Sequence, residues 1–457
     1  MESEWKEYAL EDCMEAIIDY RGKTPKKTDA GIPLITAKII KNGTINPVTE
    51  FIAKEDYDSW MRRGIPKPGD VVMTTEAPLG EVAQLDSRQV ALAQRVITLR
   101  GKAGFLDNRF LKYLITSHRV QHQLDGRGTG TTVRGIKQSE LRKVKLNIPS
   151  FSEQKAIAHI LGSLDGKIEL NRQINETLES MAQVLFKSWF VDFDPVIDNA
   201  LAAGNAIPEA LQARAVKRQA LLNQESKHPP LPENIRQQFP AAFEFNDNLG
   251  WIPEGWKASP VNEALEINPK VTLRKGDIAP FVDMKALPTT GYAINNIAEK
   301  AYSGGAKFCN GDILLARITP CLENGKTGVV DFLNVGEVGF GSTEFIILRP
   351  KNSFGTPFIA CLARDQNFRK HCVQNMVGSS GRQRVQNSGF NSYYLAVPSS
   401  NDVPNLFQQL TECSFHKITD QKNEINTLTK LRDTLLPKLL SGELTIPETE
   451  QFVKEAL

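Results

Sequence analysis

Apolar and polar positions along this chain follow two different rhythms, and the change from one to the other marks its organisation. Through the first 150 residues the apolar residues come in short runs, such as VVMTT at 71–75 and RVITLR at 95–100, bounded by Gly, Pro and Asn. Runs of that length, rich in β-branched residues and set between turn formers, predict strands. ILLAR at 313–317 and EFIILR at 344–349 read the same way. Helical stretches are interspersed, one opening at Phe110, Leu111 and Leu114 and another at Phe358, Ile359 and Leu362. The predicted class is α+β with a mostly antiparallel sheet.

After Ser150 the rhythm changes. Ser152 and Gln154 resemble a capping start, and Ile157, Leu161, Leu164, Ile168, Leu178, Ala182 and Leu185 then recur in alternating steps of four and three, with Asn171 and Asn175 between them. Near the C-terminus Ile418, Ile425, Leu428 and Leu435 repeat the pattern, with Gln421 and Arg432 in polar slots. A 3.5-residue repeat with a few polar core positions predicts paired helices, the polar residues fixing register. An antiparallel pair is expected, because it can carry one domain at each end. A helix of roughly 35 residues spans about 50 Å, against about 34–36 Å between half-site centres one DNA turn apart.

The order of motifs shows that the chain is written twice. Trp5-Lys6 is echoed by Trp256-Lys257, PLITAK at 33–38 by PFVDMK at 280–285, and PGDVVM at 68–73 by NGDILL at 310–315. QRVITLR at 94–100 parallels TEFIILR at 343–349. Each helical stretch leads to a loop rich in Gly and Arg or Ser, GRGTGTTVRG at 126–135 and VGSSGRQRVQ at 377–386, and each copy closes on LNIPS at 146–150 or LAVPS at 395–399. The matches keep their order at a separation of about 250 residues, so they are two copies of one domain and not a solenoid repeat. The expected organisation is a first domain at 1–150, a helix at 151–192, a linker at 193–250, a second domain at 251–400, a second helix at 401–445 and a tail at 446–457. Within the linker, 211–222 predicts a short helix whose Arg214, Lys217 and Arg218 read as a solvated face.

Composition narrows the picture. At 457 residues more than one core is expected. The net charge is only +2, so nucleic-acid binding would need local clusters of Lys and Arg. The six cysteines form no C-x-x-C pair, which fits individually packed reduced thiols and neither a disulfide framework nor a zinc site. An acidic N-terminus unlike a signal peptide, and the lack of a run of ~18 apolar residues, predict a cytoplasmic protein with no membrane segment.

Apparent enzyme motifs do not hold. Gly22-Lys23-Thr24 and Gly325-Lys326-Thr327 mimic the end of a phosphate loop, but Ile17 and Pro320 stand where its first Gly belongs. His118 and His122 share a helix face without a third ligand, so no metal site is expected. The pair of prolines in HPPL at 228–231 lacks the amide and the ring of an adenine methyltransferase motif. The Gly126 and Gly128 pair follows a helix instead of opening one. No catalytic residue is assigned.

The collected motifs resemble one known family. YRGKTP at 20–25, PGD at 68–70, Pro149-Ser150 with Glu153-Gln154, IELNRQINETL at 168–178, LFKSWFVDFDP at 185–195 and LTKLRDTLLPKLLSGEL at 428–444 look like the specificity subunits of type I restriction–modification systems. The resemblance covers essentially the whole chain, although the linker is longer than expected. It implies two repeated α/β target-recognition domains, joined by two long helices forming an antiparallel coiled coil. Each domain would read one half of a bipartite, asymmetric site in double-stranded DNA. Two modification subunits would dock on the helices and methylate adenine with S-adenosylmethionine, no cofactor being held by this chain, and a restriction subunit can join them. The alternative is a coiled-coil adaptor whose domains bind proteins.

Candidate DNA contacts follow from the paired loops. In the first, Arg127, Thr129, Thr131, Arg134 and Lys137 combine cations and short donors with glycines that let backbone approach phosphate. In the second, Ser379, Ser380, Arg382, Gln383 and Arg384 include the residue types that bind guanine and adenine bidentately. Arg21, Lys23 and Lys38, with Lys285 and Arg317 in the second copy, are secondary candidates. For partner docking, Phe186, Trp189 and Phe190 with Leu435, Leu436 and Leu439 are expected to form a four-helix contact with the methyltransferase subunits.

Overall fold

The computed structural model describes residues 5–20, 24–130, 133–223, 231–379 and 381–456. The chain divides into two compact units, Met1–Glu169 with Ile425–Leu457, and Leu170–Glu424.

In the first unit, β1 (Met14–Asp19), β2 (Val71–Thr75), β3 (Leu79–Gln84) and β4 (Val96–Gly101) form an antiparallel sheet in the order β1-β4-β2-β3. The two central strands are covered on both faces, which is why Val71–Met73 and Val96–Leu99 lack the apolar–polar alternation of a half-exposed strand. Alternate residues still go to different places. Val71, Met73, Ile97 and Leu99 join a cluster with Phe110, Leu111 and Leu114 of α1 (Asn108–Thr116) and with Val120 and Leu124 of α2 (His118–Arg127). Val72 and Val96 join Leu34 and Ile35 on the other face. There a smaller sheet pairs Ile32–Ile35 antiparallel with Phe51–Ile52 and parallel with Ala91–Leu92. Asp107 and Ser117 cap the two helices by accepting N–H bonds in their first turns. Lys6–Ala9 closes the domain by pairing with Lys145–Ile148.

The second unit repeats this plan. Its main sheet is β5 (Leu265–Ile267), β6 (Ile313–Ala316), β7 (Thr327–Val329) and β8 (Phe345–Pro350), in the order β5-β8-β6-β7. The smaller sheet again has one antiparallel and one parallel partner around Ile278–Val282. Helices α3 (Thr356–Arg364) and α4 (Gln366–Gln374) stand where α1 and α2 do, and Trp256–Pro260 closes on Tyr394–Pro398. The Pro-Gly-Asp and Asn-Gly-Asp echoes have a structural reason. Asp70 accepts two bonds from Arg100 at 2.8 and 2.7 Å and the Lys67 N–H. Asp312 accepts two from Arg349 at 2.7 Å and the Cys309 N–H. Ala77–Pro78 and Thr319–Pro320, eight residues after each Asp, are both cis.

Two long helices, Phe151–Phe190 and Asp402–Ser441, contribute to both units. Within the first unit, Ile157, Leu161, Leu164 and Ile168 share a cluster with Leu428, Leu431, Leu435 and Leu439. Asp165 there accepts bonds from Arg432, Lys112 and Tyr113. Within the second unit, Asn171 donates to Glu424 at 2.7 Å and Asn175 to the Ile418 carbonyl at 3.4 Å. Rising numbers on one helix meet falling numbers on the other, so the pair is antiparallel. Ser150 supplies the first cap, accepting the Glu153 N–H, while Gln154 is buried and holds the Asp107 N–H. Gly442 ends the second helix at φ +76°, donating to Leu439.

The short helix expected at 211–222 is present as Glu209–Leu222, but the solvated face expected for its arginines needs correction. Helices Asp194–Ala203 and Glu209–Leu222 pack as a hairpin, and Phe243–Asn246 pairs with Gly250–Pro253. Arg214 and Arg218 do not form a free face: each grips a buried carboxylate, Asp194 and Asp198 respectively. Burial selects that pairing, because Asp194 and Asp198 can stay ionised in the core only beside a guanidinium.

Candidate nucleic-acid interface

The sheet architecture delivers the Gly- and Arg-rich loop of each domain beside the turn that follows its central strand. In the first domain the loop is pinched shut by Thr129 and Gly135, which exchange N–H bonds at 2.8 and 3.0 Å. Ile136 then donates to the Thr75 carbonyl, and Glu76 bridges Gly135. The approach is close at Gly135, where a Cβ would stand 3.1 Å from Glu76 Cβ. Thr129 and Arg134 are exposed on this loop, and Arg134 donates to the Asp125 carbonyl at 3.4 Å. Arg127, at the end of α2, pairs with Glu140, which also takes Lys143 at 2.7 Å. Lys143 and Arg127 together hold the Glu140 carboxyl below the ordinary carboxylate range. Lys137 is exposed just beyond the loop.

In the second domain the structure brings Arg317, Gln383 and Arg384 together. Thr319 donates to the Gln383 carbonyl and Val385 to the Arg317 carbonyl, both at 3.0 Å. Arg317 Nη2 returns a bond to the Val385 carbonyl at 3.0 Å. Arg384 grips Glu344 through Nε and Nη2, with a shortest distance of 2.7 Å. That guanidinium holds the Glu344 carboxyl below its usual range. Ser379 and Arg382 are exposed in the same loop, the Arg382 N–H closing onto the Ser379 carbonyl.

Other candidates are placed elsewhere. Lys38 is exposed and reaches Glu50 at 3.5 Å beside the smaller sheet, and Lys285 is exposed in the turn Met284–Ala286. Arg21, Lys23, Thr131 and Ser380 lie outside the described residues. Three residues were missed by sequence reasoning: Glu76, Arg95 and Glu344. Arg95 pairs with Glu76 at 2.7 Å, as Glu344 does with Arg384. A signal for them existed in the repeat, since 95 and 344 open the matched strands and 76 sits two residues before the matched proline.

The docking residues need correction. Phe186 and Trp189 are each 1% exposed, packed against Phe358, Phe407 and Phe239, and Phe190 is buried against Trp256. Leu435 and Leu439 are equally buried in the first unit, with Leu436 half-buried against the same cluster. The chain's own core takes up Phe186, Trp189, Phe190, Leu435 and Leu439, and of the six only Leu436 keeps part of its surface open. The first long helix instead exposes Leu170, Met181 and Val184. Met181 and Val184 line, with Leu221 and Leu222, an open groove of about 980 Å³.

No group of three or more His, Cys, Asp or Glu able to hold a metal occurs among the described residues. His118 and His122 stack 6.4 Å apart on α2. No helix among the described residues is long and apolar enough to cross a membrane.

Residues 2–180 match the family described as type I restriction modification DNA specificity domain. The type I restriction enzyme HindI specificity subunit of Haemophilus influenzae is 24% identical, over 97% of this chain and 100% of its own length. The MjaIX specificity subunit of Methanocaldococcus jannaschii is 27% identical over 91% of this chain and 88% of its own. Among solved structures, the type I restriction–modification S subunit from M. genitalium shares the fold, with a TM-score of 0.55 at 16% identity, covering 96% of each chain.

Proposed function

The chain belongs to the specificity subunits of type I restriction–modification systems, and from that premise we propose that it reads a bipartite, asymmetric DNA site, one half-site per domain, for adenine methyltransferase subunits docked on it. The observation that carries this reading is a common frame with divergent loops. Both domains keep the same strand order and the same buried Asp–Arg grip, Asp70 with Arg100 and Asp312 with Arg349. Their exposed loops differ in nearly every side chain, as two readers of different sequences should. Phosphate contacts would position each domain and base-edge contacts would specify the half-site.

In this reading the chain itself is non-catalytic and works in the cytoplasm. Methyl transfer and its S-adenosylmethionine belong to the partner subunits, as cleavage would to a restriction subunit. Of the surfaces the long helices offer, the groove beside Met181 and Val184 suits a partner helix better than the buried aromatics.

Co-expression with a candidate adenine methyltransferase partner, followed by sequencing of host DNA for methylated adenine, tests the proposal. One split motif, present only when both chains are made, is the expected result. A stable complex that leaves DNA unmethylated, together with a duplex affinity insensitive to salt, would overturn it in favour of a protein-binding adaptor.

A further inference from the structure

Each domain brings the same three segments together and then equips them with opposite charges. The backbone scaffold is shared. Thr75 donates to the Arg95 carbonyl and receives Ile136; Arg317 donates to the Glu344 carbonyl and receives Val385, all four bonds at 3.0 Å. Glu76 bridges Gly135 as Ile318 bridges Arg384. Positions 95 and 344, 76 and 318, and 135 and 384 are therefore equivalent. In the first domain the arginine opens the strand and the carboxylate sits on the turn, Arg95 Nε meeting Glu76 Oε1 at 2.7 Å. In the second the carboxylate opens the strand and the arginine sits on the loop.

Both pairs are open to solvent, with side chains 51% and 39% exposed in the first domain and 38% and 24% in the second. An ion pair so exposed adds little to folding stability. What it does fix is the direction of a guanidinium. Arg384 spends its Nε and one Nη2 hydrogen on Glu344 and one Nη1 hydrogen on the Arg382 carbonyl. Of its five N–H donors, one remains on each terminal nitrogen. Two donors held on one planar group are what the N7 and O6 acceptors of guanine require.

We propose that Glu344 and Glu76 are positioning residues for base reading: Glu344 aims Arg384, and Glu76 aims Arg95, at a guanine in the major groove, one in each half-site. Because the arginine stands on a different segment in each domain, the two half-sites carry that guanine at different places. This rests on the DNA-specificity reading above and adds to it the base and the residues that find it.

The test is selection from a randomised duplex library by the full chain and by its Arg384→Lys, Glu344→Gln and Arg95→Lys variants, each checked for an unchanged thermal transition. Lysine keeps the charge and loses the fork. R384K is expected to lose discrimination at one G·C pair of one half-site by roughly ten- to a hundredfold. E344Q should weaken the same position, and R95K should act only on the other half-site. Variants that select the parental motif with parental strength would overturn the proposal while leaving the specificity reading intact, as would a uniform loss of affinity across all sequences. A parent chain that selects no motif would instead remove the specificity reading, and this inference with it.

Discussion

Asp70 and Asp312 are 1% exposed or less, and each is held at both oxygens by an arginine and by a backbone N–H. Removing one partner of a buried pair strands the other charge in the core. Asp70→Ala is therefore expected to destabilise the first unit by about 3–5 kcal/mol, read as a lowered urea midpoint at unchanged slope. Asp165 gives a pH signature. Burial pushes its carboxyl up, but Lys112, Tyr113 and Arg432 outweigh burial and hold it below the usual range. A carboxyl lowered in the folded state stabilises above its unfolded pKa, and that contribution fades as pH falls through the folded value. Thermal melts from pH 7 to pH 3 should thus show the parent losing more stability below about pH 4 than Asp165→Asn. At this scale the sequence marked Asp70 and Asp312 through their repeated motif. It could not show that Arg100 and Arg349, at the ends of other matched runs, were their partners, because strand pairing joins positions 30 or more residues apart.

Helix pairing was legible in the heptad spacing, down to the polar positions Asn171, Asn175, Gln421 and Arg432. Two of them are imperfectly satisfied, since Asn175 Oδ1 and Gln421 Oε1 are buried without a hydrogen-bond partner. Replacing both by Leu is expected to raise stability by about 1–2 kcal/mol, measured by thermal unfolding, while loosening the register that polar core residues enforce. A fall in stability would show that this polar pair is satisfied by an ordered water. The aromatic run at the end of the first long helix misled for an opposite reason. Trp189 and Phe190 read equally well as interface or core from one helix alone. The choice was made by segments distant in sequence, since Phe239 packs edge-on against Trp189 at 5.0 Å and Phe358 edge-on against Phe190 at 4.9 Å.

For the whole molecule, the two domains have separate cores, so the one-half-site-per-domain proposal can be tested by exchanging one domain alone. The first domain's cores draw on the first 170 residues and the second long helix, and the second domain's draw on residues 182–407. Exchanging residues 251–400 for the matching domain of another specificity subunit is expected to change one half-site of the methylated motif and preserve the other, as read by sequencing. Loss of both halves would show that the domains read DNA jointly.

The sequence by itself determined the duplication, the α+β class, the antiparallel helix pair and the resemblance to one family. All are carried by local periodicity or by motifs repeated in order, which survive without knowledge of contacts. Tertiary structure alone decided which apolar residues are core, as with Phe186 and Trp189, and which cations are already engaged, as with Arg214 and Arg218. It also decided which charges meet beside the Gly- and Arg-rich loops. Glu76 and Arg95, or Glu344 and Arg384, become neighbours only when a strand, a turn and a loop converge, and no spacing along the chain encodes that meeting.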